Sequence, residues 1–160
     1  MKGGADVNNR QSFDKYISEN LDSAYRFAYI CTKNKEDAED VLNESVMRAL
    51  KGINNLKDAG YIKTWFYRII INTSATYLKK NRKTVSMDYA PYIADGKCDD
   101  YSVLTVESLT RTLNEKYRSV VVLRFCEDMP IKDIAKVLGE NENTVKTRLY
   151  TALKILKKEV

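Results

Sequence analysis

Three carboxylates, Asp37, Asp40 and Glu44, are spaced by three and four residues, so on a helix they share one face. Paired carboxylates can act as general acid and general base, but such catalysis needs a pocket and partner groups around them. The sequence contains no histidine, which is the most common general base, and no pocket-forming glycine loop accompanies the carboxylates. We therefore predict that the chain is not an enzyme and has no catalytic residues.

The same helix face carries Asn43 and Met47, which add an amide and an apolar group to the acidic ones. This mixture is typical of a protein-docking surface, and its negative charge requires a basic partner. A solvent-exposed charge stripe without a partner is the simpler interpretation, and these residues alone leave both open.

Metal and cofactor chemistry has little support in the sequence. Cys31, Cys98 and Cys126 are far apart and form no CxxC pair, and histidine is absent. We predict no metal site, no cofactor and no small-molecule substrate.

Nucleic-acid binding is favoured by two other groups of residues. An aromatic and polar cluster around Trp65 is followed by a basic cluster, Lys79, Lys80, Arg82 and Lys83. Tyr61, Tyr67, Asn72 and Tyr77 could stack on or hydrogen bond to an unpaired base, although an aromatic core with an exposed rim would have the same composition.

Residues 131–158 have the pattern of a helix–turn–helix. Ala135 is small where two helices approach closely, and Gly139 stands where the chain turns with positive φ. In the second helix, Lys146, Thr147, Tyr150 and Thr151 are predicted to face outward towards base edges, whereas Arg148 and Lys154 suit phosphates or intradomain pairs. A plain helical hairpin with solvated lysines is the alternative.

The elements that position these residues are predicted to be helices, because two prolines and six glycines are few for a large β fold. Apolar spacing predicts helices over 12–33, with Ser12 as N-cap, and over 35–51, 62–80, 106–113, 115–126, 131–138 and 143–158. The fold class is thus all-α, with two small helical domains at 12–83 and 106–160. Residues 1–11 are predicted to be a flexible N-terminus and 84–105 a flexible linker.

Charge divides along the same boundaries. Residues 1–83 carry fifteen Lys and Arg against ten Asp and Glu, residues 84–110 one against five, and residues 111–160 eleven against seven. Two basic blocks therefore flank an acidic connector, and basic blocks suggest polyanionic partners. The polar start of the chain and the lack of a long apolar stretch predict a cytoplasmic protein.

Four segments together resemble the extracytoplasmic-function, or group IV, family of bacterial RNA polymerase sigma factors. Residues 37–44 (DAEDVLNE) are similar to the family's D-A-E-D stretch, and residues 64–72 (TWFYRIIIN) to its tryptophan-arginine-asparagine signature. Residues 113–118 (LNEKYR) and the helix–turn–helix complete the series in the right order.

The resemblance implies an alternative sigma factor whose partners are core RNA polymerase, promoter DNA and an anti-sigma factor, in this family often membrane-anchored. It implies that 12–83 is region 2 and 106–160 is region 4. The core-binding residues would be Asp37, Asp40, Asn43, Glu44 and Met47. The −10 element would be bound by Tyr61, Lys63, Trp65, Arg68, Asn72, Lys79, Lys80 and Arg82. The −35 element would be bound by Asn143, Thr144, Lys146, Thr147, Arg148, Tyr150, Thr151 and Lys154.

The chain departs from the family pattern at four positions. Asn43 stands where glutamine is usual, Asn114 replaces a proline, and Thr151 and Leu153 stand where arginine is common. Guanine readout at the last two positions is therefore not expected. A free-standing helix–turn–helix regulator is the main alternative function, and a helical interaction scaffold without a DNA role is a third.

Overall fold

The computed structural model describes residues 3–82, 108 and 111–158. The chain divides into two compact units, Met1–Ala94 and Asp95–Val160. The regular elements in the described residues are helices, which confirms the all-α prediction. The linker predicted at 84–105 and most of the helix predicted at 106–113 lie outside the described residues.

Within residues 3–82, the first unit contains three α-helices, α1 (Gly3–Thr32), α2 (Lys35–Gly52) and α3 (Ile62–Arg82). Two short 3₁₀ turns, Ile53–Asn55 and Ala59–Tyr61, connect α2 to α3. Helix α2 begins as its sequence predicts, because the Asn34 side chain accepts a hydrogen bond from the Asp37 backbone N–H at 3.0 Å.

Helix α1 differs from its prediction in two respects. It begins at Gly3, so Ser12 lies inside it and is not its N-cap. The residues before Ser12 have no apolar period that could have indicated a helix. The helix also kinks at Asn20 (φ −125°, ψ 19°), whose side-chain amide donates to the Tyr16 carbonyl at 2.9 Å. That bond partly compensates for the interrupted backbone ladder.

The core of the first unit is aromatic where α1 meets α3. The rings of Phe13 and Phe66 lie 5.3 Å apart edge to face, and those of Phe27 and Tyr67 lie 4.9 Å apart. All four side chains are fully buried. From α2, small and branched residues such as Ala38, Val41 and Ala49 complete the core and let the helices approach closely.

The second unit contains α4 (Glu115–Val121), which continues into a π-helical turn (Val122–Cys126), α5 (Ile131–Leu138) and α6 (Glu142–Lys158). The Asn114 side chain accepts a hydrogen bond from the Tyr117 N–H and caps α4, so the residue that replaces the family's proline has a structural role. Arg118 is 7% exposed and donates to the Leu113 carbonyl at 2.9 Å. The LNEKYR motif therefore helps to fold this unit.

Helices α5 and α6 form the predicted helix–turn–helix. Gly139 ends α5 in the left-handed conformation (φ 67°, ψ 32°), and the Glu140 N–H donates to the Ala135 carbonyl at 3.0 Å. Asn141 begins α6 by accepting from the Thr144 N–H at 2.8 Å. Val145, Leu149 and Ala152 are buried, which leaves the opposite face of α6 to solvent. In the described part of the chain, no helix is long and apolar enough to cross a bilayer.

Candidate functional site

The acidic face of α2 is open to solvent. Asp40, Asn43 and Glu44 are exposed, Met47 is 54% exposed, and Asp37 is half-buried. All five predicted docking residues therefore lie together on one helix face. Exposed Met47 gives the face an adaptable apolar contact beside its carboxylates.

Two interactions order these acidic side chains. The Glu44 carboxylate pairs with the Arg48 guanidinium at 3.1 Å one turn later, and 50% of the Glu44 side chain and 42% of the Arg48 side chain are exposed. The Tyr77 hydroxyl on α3 lies 3.2 Å from an oxygen of Asp37 and 2.9 Å from an oxygen of Asp40. Tyr77 was one of the residues that could have contacted a base, and in the structure its hydroxyl faces the carboxylates of α2.

Helix α3 presents an exposed stripe to solvent. Its members recur at helical spacing from the start of the helix to its end: Tyr61, Trp65, Arg68, Asn72 and Lys79. Trp65 is half-buried, with its ring 6.2 Å from that of Phe13, and the others are exposed. The stripe places aromatic, amide and cationic groups in a row.

Three predicted −10 residues lie outside this stripe. Lys63 is half-buried and belongs to the side of α3 that packs against the core, Lys80 is exposed on the flank, and Arg82 is the last residue of the helix. The proposed stacking role of Tyr67 is wrong, because its side chain is completely buried against Phe27. Lys83 lies outside the described residues.

The loop between α2 and α3 is held from two sides. The Asp58 side chain accepts from the Gly60 N–H at 2.8 Å, and the Asn9 amide on α1 donates to the Leu56 carbonyl at 2.9 Å. Ile53 is 2% exposed and anchors the start of the loop in the core. The role of Asn9 was missed because it joins residues 47 positions apart in the sequence.

On α6, five predicted −35 residues form a single exposed stripe: Asn143, Lys146, Thr147, Tyr150 and Lys154. Tyr150 is 67% exposed, and the Thr147 hydroxyl donates to the Asn143 carbonyl at 2.9 Å. Thr144, Arg148 and Thr151 are half-buried on the flank of this stripe.

Arg148 is already engaged within the second unit. Its guanidinium lies 3.1 Å from the carboxylate of Glu140 in the turn before α6. This contact braces the turn against the helix. Of the two roles predicted for Arg148, a phosphate contact or an intradomain pair, the structure shows the intradomain pair.

Comparison with known proteins gives the family. Residues 16–84 match Sigma-70 region 2 and residues 104–156 match Sigma-70 region 4. The chain is 36% identical over 143 residues to RNA polymerase sigma factor SigV of Bacillus subtilis, covering 88% of this chain and 86% of that protein. The chain belongs to the ECF sigma factors. ECF sigma factor SigW of the same bacterium is 25% identical, with 94% of this chain and 90% of that protein covered.

Solved structures agree with this fold. CnrH, in complex with the cytosolic domain of CnrY, superposes with a TM-score of 0.69 at 19% identity, covering 98% of this chain and 92% of CnrH. The sigma factor RpoE of Bartonella quintana, in complex with the anti-sigma factor NepR, gives a TM-score of 0.72 at 18% identity, covering 91% and 94%. The similarity extends over both units of the ECF sigma factor.

Family membership also decides between the functions that the residues left open. A free-standing regulator would account for the helix–turn–helix but not for a region 2 match over residues 16–84. The protein is an alternative sigma factor, which is a transcription initiation factor. The exposed surfaces on α2, α3 and α6 are its candidate functional surfaces.

Proposed function

We propose that this sigma factor binds core RNA polymerase through the acidic face of α2, formed by Asp37, Asp40, Asn43, Glu44 and Met47. The observation that carries the proposal is that all five residues lie together on the solvent-accessible face of α2, opposite the face that packs into the core. The partner surface must be basic with apolar positions, because carboxylates and an exposed methionine share the patch.

The −10 element is bound by the exposed stripe of α3 and by the loop at 52–60. Taking a base out of the duplex costs a few kcal/mol, which stacking and hydrogen bonding must offset. Tyr61 and Trp65 supply aromatic surface, Asn72 supplies an amide, and Arg68 and Lys79 supply charge for the backbone. We assign Lys80 and Arg82 to phosphates beyond the stripe, while the position of Lys63 makes it the weakest member of the predicted set.

The −35 element is bound by the stripe of α6 in the major groove. Residues near the N-terminus of a recognition helix reach base edges, which suits Asn143, Lys146 and Thr147. Lys154 lies farther along and suits a phosphate, while Thr144, Arg148 and Thr151 border the contact. In this scheme residues 12–83 act as region 2, 106–160 as region 4, and the acidic residues 84–105 connect them.

Transcription in vitro tests the whole assignment. Core polymerase mixed with the full chain and a library of random promoters should start transcription from a restricted set that shares two separated elements. The proposal would be refuted if the chain stimulated no initiation with core polymerase, was a dimer by light scattering and bound a palindromic duplex without polymerase. Those results would identify a free-standing regulator.

Lys146→Ala tests the assignment of the recognition stripe. We expect it to weaken discrimination at one or two −35 positions by about 1–3 kcal/mol per base pair, because a stripe residue near the helix start contacts a base edge. The measurement is competition between promoters with single −35 changes, using holoenzyme. Lys116→Ala, an exposed lysine of α4, is the charge-matched control and should leave discrimination unchanged. Equal effects of the two variants would contradict the assignment.

We also propose regulation by an anti-sigma factor. The support is that two structurally similar chains, CnrH and RpoE, were solved with CnrY and with the anti-sigma factor NepR. The acidic face of α2 is a surface that such a protein would compete for. A protein of this role works on DNA in the cytoplasm and carries no catalytic residue of its own.

A further inference from the structure

The hydroxyl of Tyr77 joins the two helices that the proposed function assigns to different partners. Tyr77 is half-buried near the end of α3, and its hydroxyl oxygen lies within hydrogen-bonding distance of both Asp37 (3.2 Å) and Asp40 (2.9 Å) on α2. Tyr77 follows Asp37 by 40 positions and Asp40 by 37 positions in the sequence. The contact is therefore a product of the fold.

A phenol has one hydrogen to donate, so it bonds one carboxylate at a time and holds the other close to the same oxygen. A hydrogen bond to a charged acceptor is stronger than a neutral one. Asp37 and Asp40 are neighbours of like charge on one helix face, and their repulsion would otherwise favour rotamers that point apart. Tyr77 thus holds the Asp37 and Asp40 carboxylates near each other.

We infer that Tyr77 is a positioning residue for polymerase binding, which orients the Asp37 and Asp40 carboxylates before the partner arrives. This inference rests on the proposed docking face of α2. Ordering side chains at an interface normally lowers affinity, and a contact that orders them in the free protein reduces that loss. The partner group would be a cation that both carboxylates can reach together.

The contact also has a second consequence, because Tyr77 precedes Lys79 and Lys80 by less than one helical turn. Fastening Tyr77 to α2 fixes the end of α3, from which these lysines project into solvent. The contact therefore fixes the position of the docking carboxylates relative to the basic end of α3, the proposed −10 helix.

The test is a double-mutant cycle on the full chain, with affinity for core polymerase as the readout. Tyr77→Phe keeps the ring and removes the hydroxyl, and we expect it to weaken binding about three- to tenfold. In the background of Asp37→Ala with Asp40→Ala, the same change should alter affinity by less than about twofold, because the groups through which it acts are gone. Tyr16→Phe, on a half-buried tyrosine whose ring lies 6.2 Å from Phe66, is the matched control and should leave affinity unchanged.

The outcomes separate a positioning role from a structural one. If Tyr77 only helped to pack α3 on α2, its replacement would lower the thermal unfolding midpoint and weaken binding equally in both backgrounds, which would overturn the inference. If Tyr77→Phe bound core polymerase as tightly as the natural chain, the inference would also be overturned. If Asp37→Ala with Asp40→Ala bound weakly in the same experiment, the docking face on α2 would still stand. If that double variant bound as tightly as the natural chain, the docking face itself would be wrong.

Discussion

The double variant Asp40→Lys with Glu44→Lys is expected to lose core polymerase binding, by at least about a hundredfold, while its circular dichroism stays unchanged. Each substitution replaces an attractive contact with a like-charge one, and like-charge contacts at an interface cost several kcal/mol. The fold should tolerate the change because both residues are exposed. The lost Glu44–Arg48 pair is a surface i,i+4 contact of only about 0.3–0.5 kcal/mol.

A charge-matched control is available on the same unit. Glu19→Lys with Asp22→Lys changes two exposed acidic residues of α1 to lysine and leaves α2 untouched. It produces the same net charge and should bind core polymerase nearly as well as the natural chain. The measurement is a pull-down with purified core enzyme at two salt concentrations. Equal loss of binding in both double variants would mean that overall charge, and not this face, drives the association.

The sequence predicted well which residues share the acidic face of α2, because a single helix carries all of them. Spacing alone places Asp37, Asp40 and Glu44 together on α2, and the structure has them there with Asn43 and Met47. The same reasoning worked for the turn at Gly139, where the need for positive φ selects glycine. Both features depend on local backbone geometry, which neighbouring residues determine.

Features that depend on packing between helices were harder to predict from the sequence. Nothing in the residues around Tyr77 indicates that its hydroxyl meets two carboxylates of α2, and Tyr67 looked equally suited to stack on a base although it is fully buried. A tyrosine at either position satisfies the same periodicity. Which of the two is fully buried depends on how α3 is rotated against α1, and the aromatic contacts of Phe13 and Phe27 fix that rotation.

Two roles were open for Arg148 from the sequence, a contact with a DNA phosphate and a pair within the domain. The structure pairs it with Glu140 at 3.1 Å. Which of two available partners a side chain contacts depends on the distances between them in the folded chain, and the sequence does not give those distances. Its neighbours Lys146 and Tyr150 are exposed, as helical periodicity predicted, and their contact with DNA stays a prediction.

The second large effect concerns DNA binding by the protein alone. We expect the isolated chain to bind promoter DNA weakly and with little sequence preference, and core polymerase to restore specific binding by about a hundredfold or more. The stripes on α3 and α6 that we propose to contact DNA are short, and a single recognition module buries only roughly 600–1,000 Å². Holding both units on one polymerase makes the second contact intramolecular, at an effective concentration on the order of millimolar, which can raise avidity 10²–10⁴-fold.

Fluorescence anisotropy with a promoter duplex and a scrambled duplex, each with and without core polymerase, measures this effect. Binding by the chain alone should fall steeply with salt and differ little between the two duplexes, because phosphate contacts dominate it. Holoenzyme should distinguish them at the same salt. Tight, sequence-specific binding without polymerase would show that the α6 stripe suffices for recognition. The proposal that α2 docks on polymerase while α3 and α6 each bind DNA weakly, which the exposed residues of these helices support, would then be wrong.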